Sequence, residues 1–156
     1  MRPRHHSGFT LIELLVVIAI IGVLTTIAVV ALADARAKAR DTKRVADTHS
    51  IFLALELYND DNGGYPTAVT PIELGADSQR VLCDGGLKNA CTGGELIFQG
   101  LVPAAPRPVD GDCTADENKY MYSTPPGEEF QVTFCLGAKV NDLAAGTHFL
   151  TSSGVK

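Results

Sequence analysis

The chain has 156 residues and a formal net charge of −5, with a pI near 5.2. That balance argues against a general nucleic-acid binder, which needs a basic stripe to neutralise phosphates. Aromatic content of 6% with no Trp argues against a stacking platform for single strands.

The length suits one domain, or one domain plus an appendage. Mean hydropathy is +0.11, and the apolar residues behind it are concentrated in residues 9–33. Leu14–Ala33 is 20 residues without a charge, enough helix to span a hydrocarbon core of roughly 30 Å. The segment before it is short and polar, with Arg2, Arg4, His5 and His6. Gly8-Phe9-Thr10-Leu11-Ile12-Glu13 then leads directly into the apolar run. Three readings compete: a plain membrane anchor, a secretory signal peptide cut after Ala31-Leu32-Ala33, and a cut after Gly8 that keeps the helix in the mature chain. The signal-peptide reading makes the apolar stretch long for a core of about 7–15 residues, and it leaves Glu13 unexplained.

A basic leader, Gly8, Phe9, a glutamate four residues on and about twenty apolar residues resemble the processing site of type IV pilins and type II secretion major pseudopilins. The likeness is strongest over residues 1–66. It implies that a membrane-bound prepilin peptidase cuts between Gly8 and Phe9 and methylates the new Phe9 amine. It also implies that Glu13 sits in the bilayer and pairs with the Phe9 amine of a neighbouring subunit. A lone carboxylate in hydrocarbon is costly, so such a residue carries a functional hypothesis by default. Against that stands the plainer reading that Glu13 is one turn inside the helix and reaches the headgroups.

Arg36, Lys38, Arg40, Lys43 and Arg44 follow the span. The positive-inside rule taken alone would hold that flank in the cytoplasm. The leader and the cysteines point the other way, so the cluster is read as a helix face outside the cytoplasm, interleaved with Asp34 and Asp41.

The helical pattern continues past the membrane. Residues 31–46 are rich in the strong helix formers Ala, Arg and Lys. Val45, Thr48, Phe52, Leu55 and Tyr58 then form a stripe, widened by Ile51, Leu53 and Leu57. Asn62-Gly63-Gly64 and Pro66 stop the helix, which therefore runs from about Phe9 to about Asp61. Many pilins carry a proline in the membrane half; here no Pro occurs between Pro3 and Pro66, and Gly22 is the only weak point. The helix exit, Ala54 to Thr67, resembles that of the major pseudopilins and of short bacterial pilins.

Residues 68–116 read as loop-rich, with Pro71, Gly85-Gly86, Gly93-Gly94, Pro103, Pro106 and Pro108. Glu95–Val102 is apolar and fits a short strand or a helical turn equally. Lys119–Thr124, Glu129–Leu136 and Thr147–Thr151 read as strands, the second with Phe130, Val132, Phe134 and Leu136 on one face. The fold class is α+β: a long N-terminal helix against an antiparallel sheet of three or four strands. The chain divides into a leader (1–8), a membrane or filament-core helix (9–33), an amphipathic half (34–62) and a head (63–156).

Four cysteines, Cys83, Cys91, Cys113 and Cys135, all follow the span. An even number in a small exported head suggests two disulfides, and no C-x₂-C pair favours zinc. Three connectivities exist. Cys83–Cys91 with Cys113–Cys135 is favoured, because it closes a Gly-rich loop and ties the pre-sheet loop to a strand. Asp110, Asp112, Asp116 and Glu117 bracket Cys113 and supply oxygen ligands of the kind Ca²⁺ takes. The major pseudopilins carry calcium in a loop near their sheet, although this spacing is not that of an EF-hand.

No nucleophile–base pair, phosphate loop or metallohydrolase motif is visible, and His49 and His148 have no catalytic neighbours in sequence. The resemblance implies a non-enzymatic filament subunit, either a pilin or a type II secretion major pseudopilin. Its partners would be other copies of itself and related pilins, the prepilin peptidase, an assembly platform with its ATPase, and inner-membrane lipid, with no nucleic acid. It would cross the inner membrane once with its head in the periplasm, the filament standing in the periplasm or at the cell surface. The reading from another class is a soluble binding domain released after Ala33.

Overall fold

A computed structural model describes residues 9–92, 102–127 and 129–156. Helix α1 runs Leu11–Asn62, 52 residues, against the expected span of Phe9 to Asp61. Gly63 ends it with φ 70°, a left-handed conformation that glycine adopts without a Cβ penalty. Its N–H bonds back to Asn59 O at 2.8 Å. The chain forms two compact units, residues 1–36 and residues 37–156.

In the first unit every described side chain is exposed. The apolar window in α1 is long enough to cross a membrane and has a mean hydropathy of 3.0. Its two hydroxyls are satisfied within the helix: Thr25 Oγ1 donates to Ile21 O and Thr26 Oγ1 to Val23 O, each at 2.7 Å. Backbone and hydroxyl groups must be paired internally where lipid replaces water.

The second unit holds the core. Strands β1 (Ile72–Glu73), β2 (Val81–Cys83), β3 (Gly86–Lys88), β4 (Met121–Ser123), β5 (Gln131–Leu136), β6 (Gly146–Thr151) and β7 (Gly154–Val155) form two sheets. The main sheet has the order β1-β4-β5-β6-β7 and is antiparallel throughout. β4, β5 and β6 fall on the three expected strands; β1 and β7 are two-residue edges that add to them. The loop-rich stretch also holds the β2–β3 hairpin, whose strands are too short for an alternating pattern to emerge. The apolar segment 95–102 lies outside the described residues except for Val102, which is buried without being in a strand.

Phe130, Val132, Phe134 and Leu136 are all buried, and they pack with Tyr120, Tyr122, Leu150, Ile51 and Leu55 into one core. Ala54, Tyr58 and Leu82 form a smaller cluster beside it, with Leu87 against them. The buried face of α1 is Asp41, Arg44, Thr48, Ile51, Ala54, Leu55 and Tyr58. Leu53 and Leu57, expected to widen the stripe, are instead 52% and 44% exposed. At 3.6 residues per turn each lies about 200° round the helix from the buried residue two positions before it.

Candidate functional site

The first part of the site is the start of α1. Phe9 is 81% exposed, and Gly8 lies outside the described residues. Thr10 stands immediately before the helix, and its Oγ1 accepts the Glu13 N–H at 3.3 Å. Thr10-Leu11-Ile12-Glu13 thus has the spacing of a capping box, with Thr10 at the cap and Glu13 at the third helical position. The sequence reading passed over Thr10, although the T-x-x-E spacing was the available signal. Glu13 is the acidic residue of the first turn, where the positive end of the helix dipole favours a carboxylate.

The second part is a buried charge cluster in the head. Arg44 and Asp41 are both 0% exposed. Arg44 Nη1 donates to Asp41 Oδ1 at 2.6 Å and to Asp110 Oδ2 at 3.0 Å. Its Nη2 donates to Asn118 Oδ1 at 2.5 Å, Pro106 O at 3.2 Å and Pro108 O at 3.4 Å. Arg40, one turn earlier, grips Asp110 with Nε at 2.8 Å and with Nη2 on the other oxygen. Asp41 also accepts the N–H groups of Gly137 at 3.0 Å and Ala138 at 2.9 Å, just after β5. One turn and a half of α1 therefore holds both the 106–118 loop and the exit of the central strand. The close approach needs glycine, because a Cβ on Gly137 would come within 2.5 Å of the Asp110 backbone.

The basic residues after the span, read as one helix face, do not share one environment. Arg36, Lys38 and Lys43 are exposed, but Arg40 is half-buried and Arg44 fully buried. Apart from Asp41, one helical turn before Arg44, their partners lie 62 to 74 residues away, beyond the reach of any local pattern. The Arg40 guanidinium, more than any other group, holds the Asp110 carboxyl below the usual carboxylate range, with Arg44 adding to it. The same hydrogen bond raises Arg40.

The four acidic residues considered for calcium are placed separately. Asp110 is taken by Arg40 and Arg44. Asp116 pairs with Lys119 at 2.9 Å. Glu117 accepts the Thr114 N–H at 2.8 Å, which holds its carboxyl low. Asp112 is exposed. Among the described residues no group of three or more His, Cys, Asp and Glu side chains is placed to hold a metal ion. The cysteines pair as Cys83–Cys91 and Cys113–Cys135, the connectivity favoured above. His49 and His148 lie in α1 and β6, and the His148 ring bonds Ala144 O at 2.8 Å.

The capped start of α1, its exposed apolar segment and the preceding Gly8-Phe9 resemble the N-terminus of prepilin-type chains. Residues 3–29 match the family described as the prokaryotic N-terminal methylation motif. More particularly, the chain is similar to type II secretion system core protein G. It is 43% identical to that of Aeromonas hydrophila over 67 residues, 43% of this chain and 47% of the relative. It is 44% identical to that of Escherichia coli over 66 residues, covering 42% and 46%. The protein from Pseudomonas aeruginosa is 37% identical over 73 residues, covering 47% and 51%. The chain thus spans about half the length of the curated relatives it matches. No solved structure gives a significant match.

Proposed function

We propose that this chain is a structural subunit of a type IV pilus-like filament, without enzymatic activity, and that the filament is the pseudopilus of a type II secretion system. One observation carries the reading: the N-terminal methylation motif at residues 3–29 covers the start of a helix whose large apolar residues from Leu11 to Leu32 are exposed among the described residues. Exposed Leu, Ile and Val all round a helix require lipid or other apolar helices. Before assembly the bilayer meets that need; in a filament, neighbouring copies do.

Cleavage after Gly8 frees an ammonium at Phe9, four residues before Glu13. An ammonium and a carboxylate in a low-dielectric helix bundle pair across neighbours, since leaving either alone is costly. The pair then sets the axial register. The head supplies the filament surface. Removal of Arg2 and Arg4 with the leader leaves 11 basic against 18 acidic side chains, so the coat is acidic. The prepilin peptidase, the assembly platform and its ATPase are the expected partners, with the head in the periplasm.

The likeness to core protein G favours the secretion pseudopilus over a surface pilus. The test is N-terminal mass spectrometry on sheared surface material and on washed envelope. N-methylated Phe9 confined to the envelope is the expected result. The same terminus in sheared fibres makes the filament a surface pilus. A start at Asp34, or an uncut Met1, overturns the filament reading and leaves a released or simply anchored domain.

A further inference from the structure

The Arg44 guanidinium is surrounded by five oxygens: one from each of Asp41, Asp110 and Asn118, and the carbonyls of Pro106 and Pro108, at 2.5 to 3.4 Å. Carboxylates, a side-chain amide and backbone carbonyls converging from a loop are the donors a calcium ion takes. Here the centre is already filled by a covalently attached cation. Both Asp110 oxygens are already engaged by guanidinium groups, Oδ1 by Arg40 and Oδ2 by Arg40 and Arg44 together. The remaining acidic residues of the loop, Asp112, Asp116 and Glu117, are exposed and outside this cage.

We propose that Arg44, seconded by Arg40, is the built-in cation of the head: it does for the 106–118 loop what a divalent ion would do, so the head closes without calcium. Two arginines and two aspartates, Asp41 and Asp110, balance in charge within the cluster. A bound divalent ion would add two positive charges beside two guanidinium groups, and like charges in a buried site repel strongly. The guanidinium suits the place because its planar fork reaches several oxygens at once. The Cys113–Cys135 bridge joins the same loop to β5. Loop, helix and sheet are therefore tied together by bonds that no chelator removes.

The test is thermal unfolding of the full-length protein in detergent, followed by near-UV circular dichroism of its tyrosines. Runs in excess EGTA and in millimolar calcium are expected to give the same midpoint. A stabilising calcium site would raise the midpoint by roughly 5 °C or more at saturation, and such a rise overturns the proposal. Arg44→Ala is expected to lower the midpoint by about 10 °C or more, because it leaves two buried carboxylates short of a partner. Should that variant not fold, Arg44→Lys serves: one ammonium cannot span five oxygens, so a smaller drop is expected. A wild-type midpoint in either variant overturns the proposal. Neither arm depends on filament formation, so the result stands apart from the assembly reading.

Discussion

Asp41 and Arg44 sit three residues apart on one helix, are both fully buried, and are joined at 2.6 Å. Each then reaches a different part of the head: Asp41 the backbone after β5, Arg44 the 106–118 loop. Breaking a buried pair by removing one partner is far more damaging than the net worth of the pair suggests. Asp41→Ala is accordingly expected to cost about 3–5 kcal/mol. Urea unfolding of the variant beside wild type checks this; a loss below 1 kcal/mol would contradict it.

Acid should weaken the same cluster. The Asp110 carboxyl is held below its ordinary value, first by Arg40. A depressed folded pKa stabilises the protein above the unfolded value, about 3.9. That contribution disappears as pH falls through the folded pKa. The urea midpoint should therefore drop between pH 5 and the acid limit, by roughly the amount that Asp110→Asn removes from the pH dependence. An unchanged acid limb in Asp110→Asn would locate the acid sensitivity elsewhere.

At the alkaline end the buried tyrosines act in the opposite sense. Burial pushes the Tyr120 and Tyr122 hydroxyls up. Tyr120 also donates to Asp47 at 3.0 Å, and Tyr122 to Pro66 O at 2.5 Å. A raised folded pKa supplies stability that is complete below the unfolded value near 10 and is lost above it. Tyrosinate absorbance should therefore show some tyrosines ionising only together with loss of tertiary circular dichroism. Smooth titration of every tyrosine in the folded protein would refute this.

The two faces of α1 should differ sharply. Ile51 is 3% exposed and Leu53 is 52% exposed. Ile51→Ala is expected to cost about 2–5 kcal/mol, as for a buried aliphatic truncation. Leu53→Ala should stay within roughly 0.5 kcal/mol for the isolated subunit. Equal losses would mean that the helix is rotated from the face described.

The disulfides should be unequal. Cys113–Cys135 closes a separation of 22 residues and Cys83–Cys91 one of 8. The longer loop gains more from closure, by about 1 kcal/mol on chain entropy. Paired Cys→Ala variants, compared by denaturant midpoint, should show the larger loss at Cys113–Cys135.

Glu13→Ala should leave membrane insertion intact and impair filament formation. Glu13 is exposed and belongs to the first compact unit, apart from the head, so head stability should not move. Normal filaments from that variant, seen by electron microscopy and membrane fractionation, would remove Glu13 from the register role.

The helix, its end and the three main strands were legible because their signals are local. An uncharged run of 20 residues, Asn-Gly-Gly before Tyr-Pro, and Phe130-x-Val132-x-Phe134-x-Leu136 each state their structure within a few positions. The Thr10 cap was equally local, at the spacing of a capping box. The edge strands β1 and β7 were not legible, since two residues cannot display a period. Leu53 and Leu57 were misplaced for a different reason: hydrophobicity marks what burial favours, and only the phase of the helix against a particular sheet decides which apolar residues obtain it.

Sequence alone determined the apolar helix with its methylation motif, because a bilayer imposes length and composition on any segment that enters it. Tertiary structure alone decided the fate of the charges that follow. Arg36 and Lys38 stay in solvent, while Arg44, in the same basic run, becomes the centre of a buried cage. Nothing in the local sequence separates them. The difference is that the fold brings Asp110, Asn118 and two proline carbonyls to one of these positions, and a buried guanidinium is tolerable only where such oxygens converge.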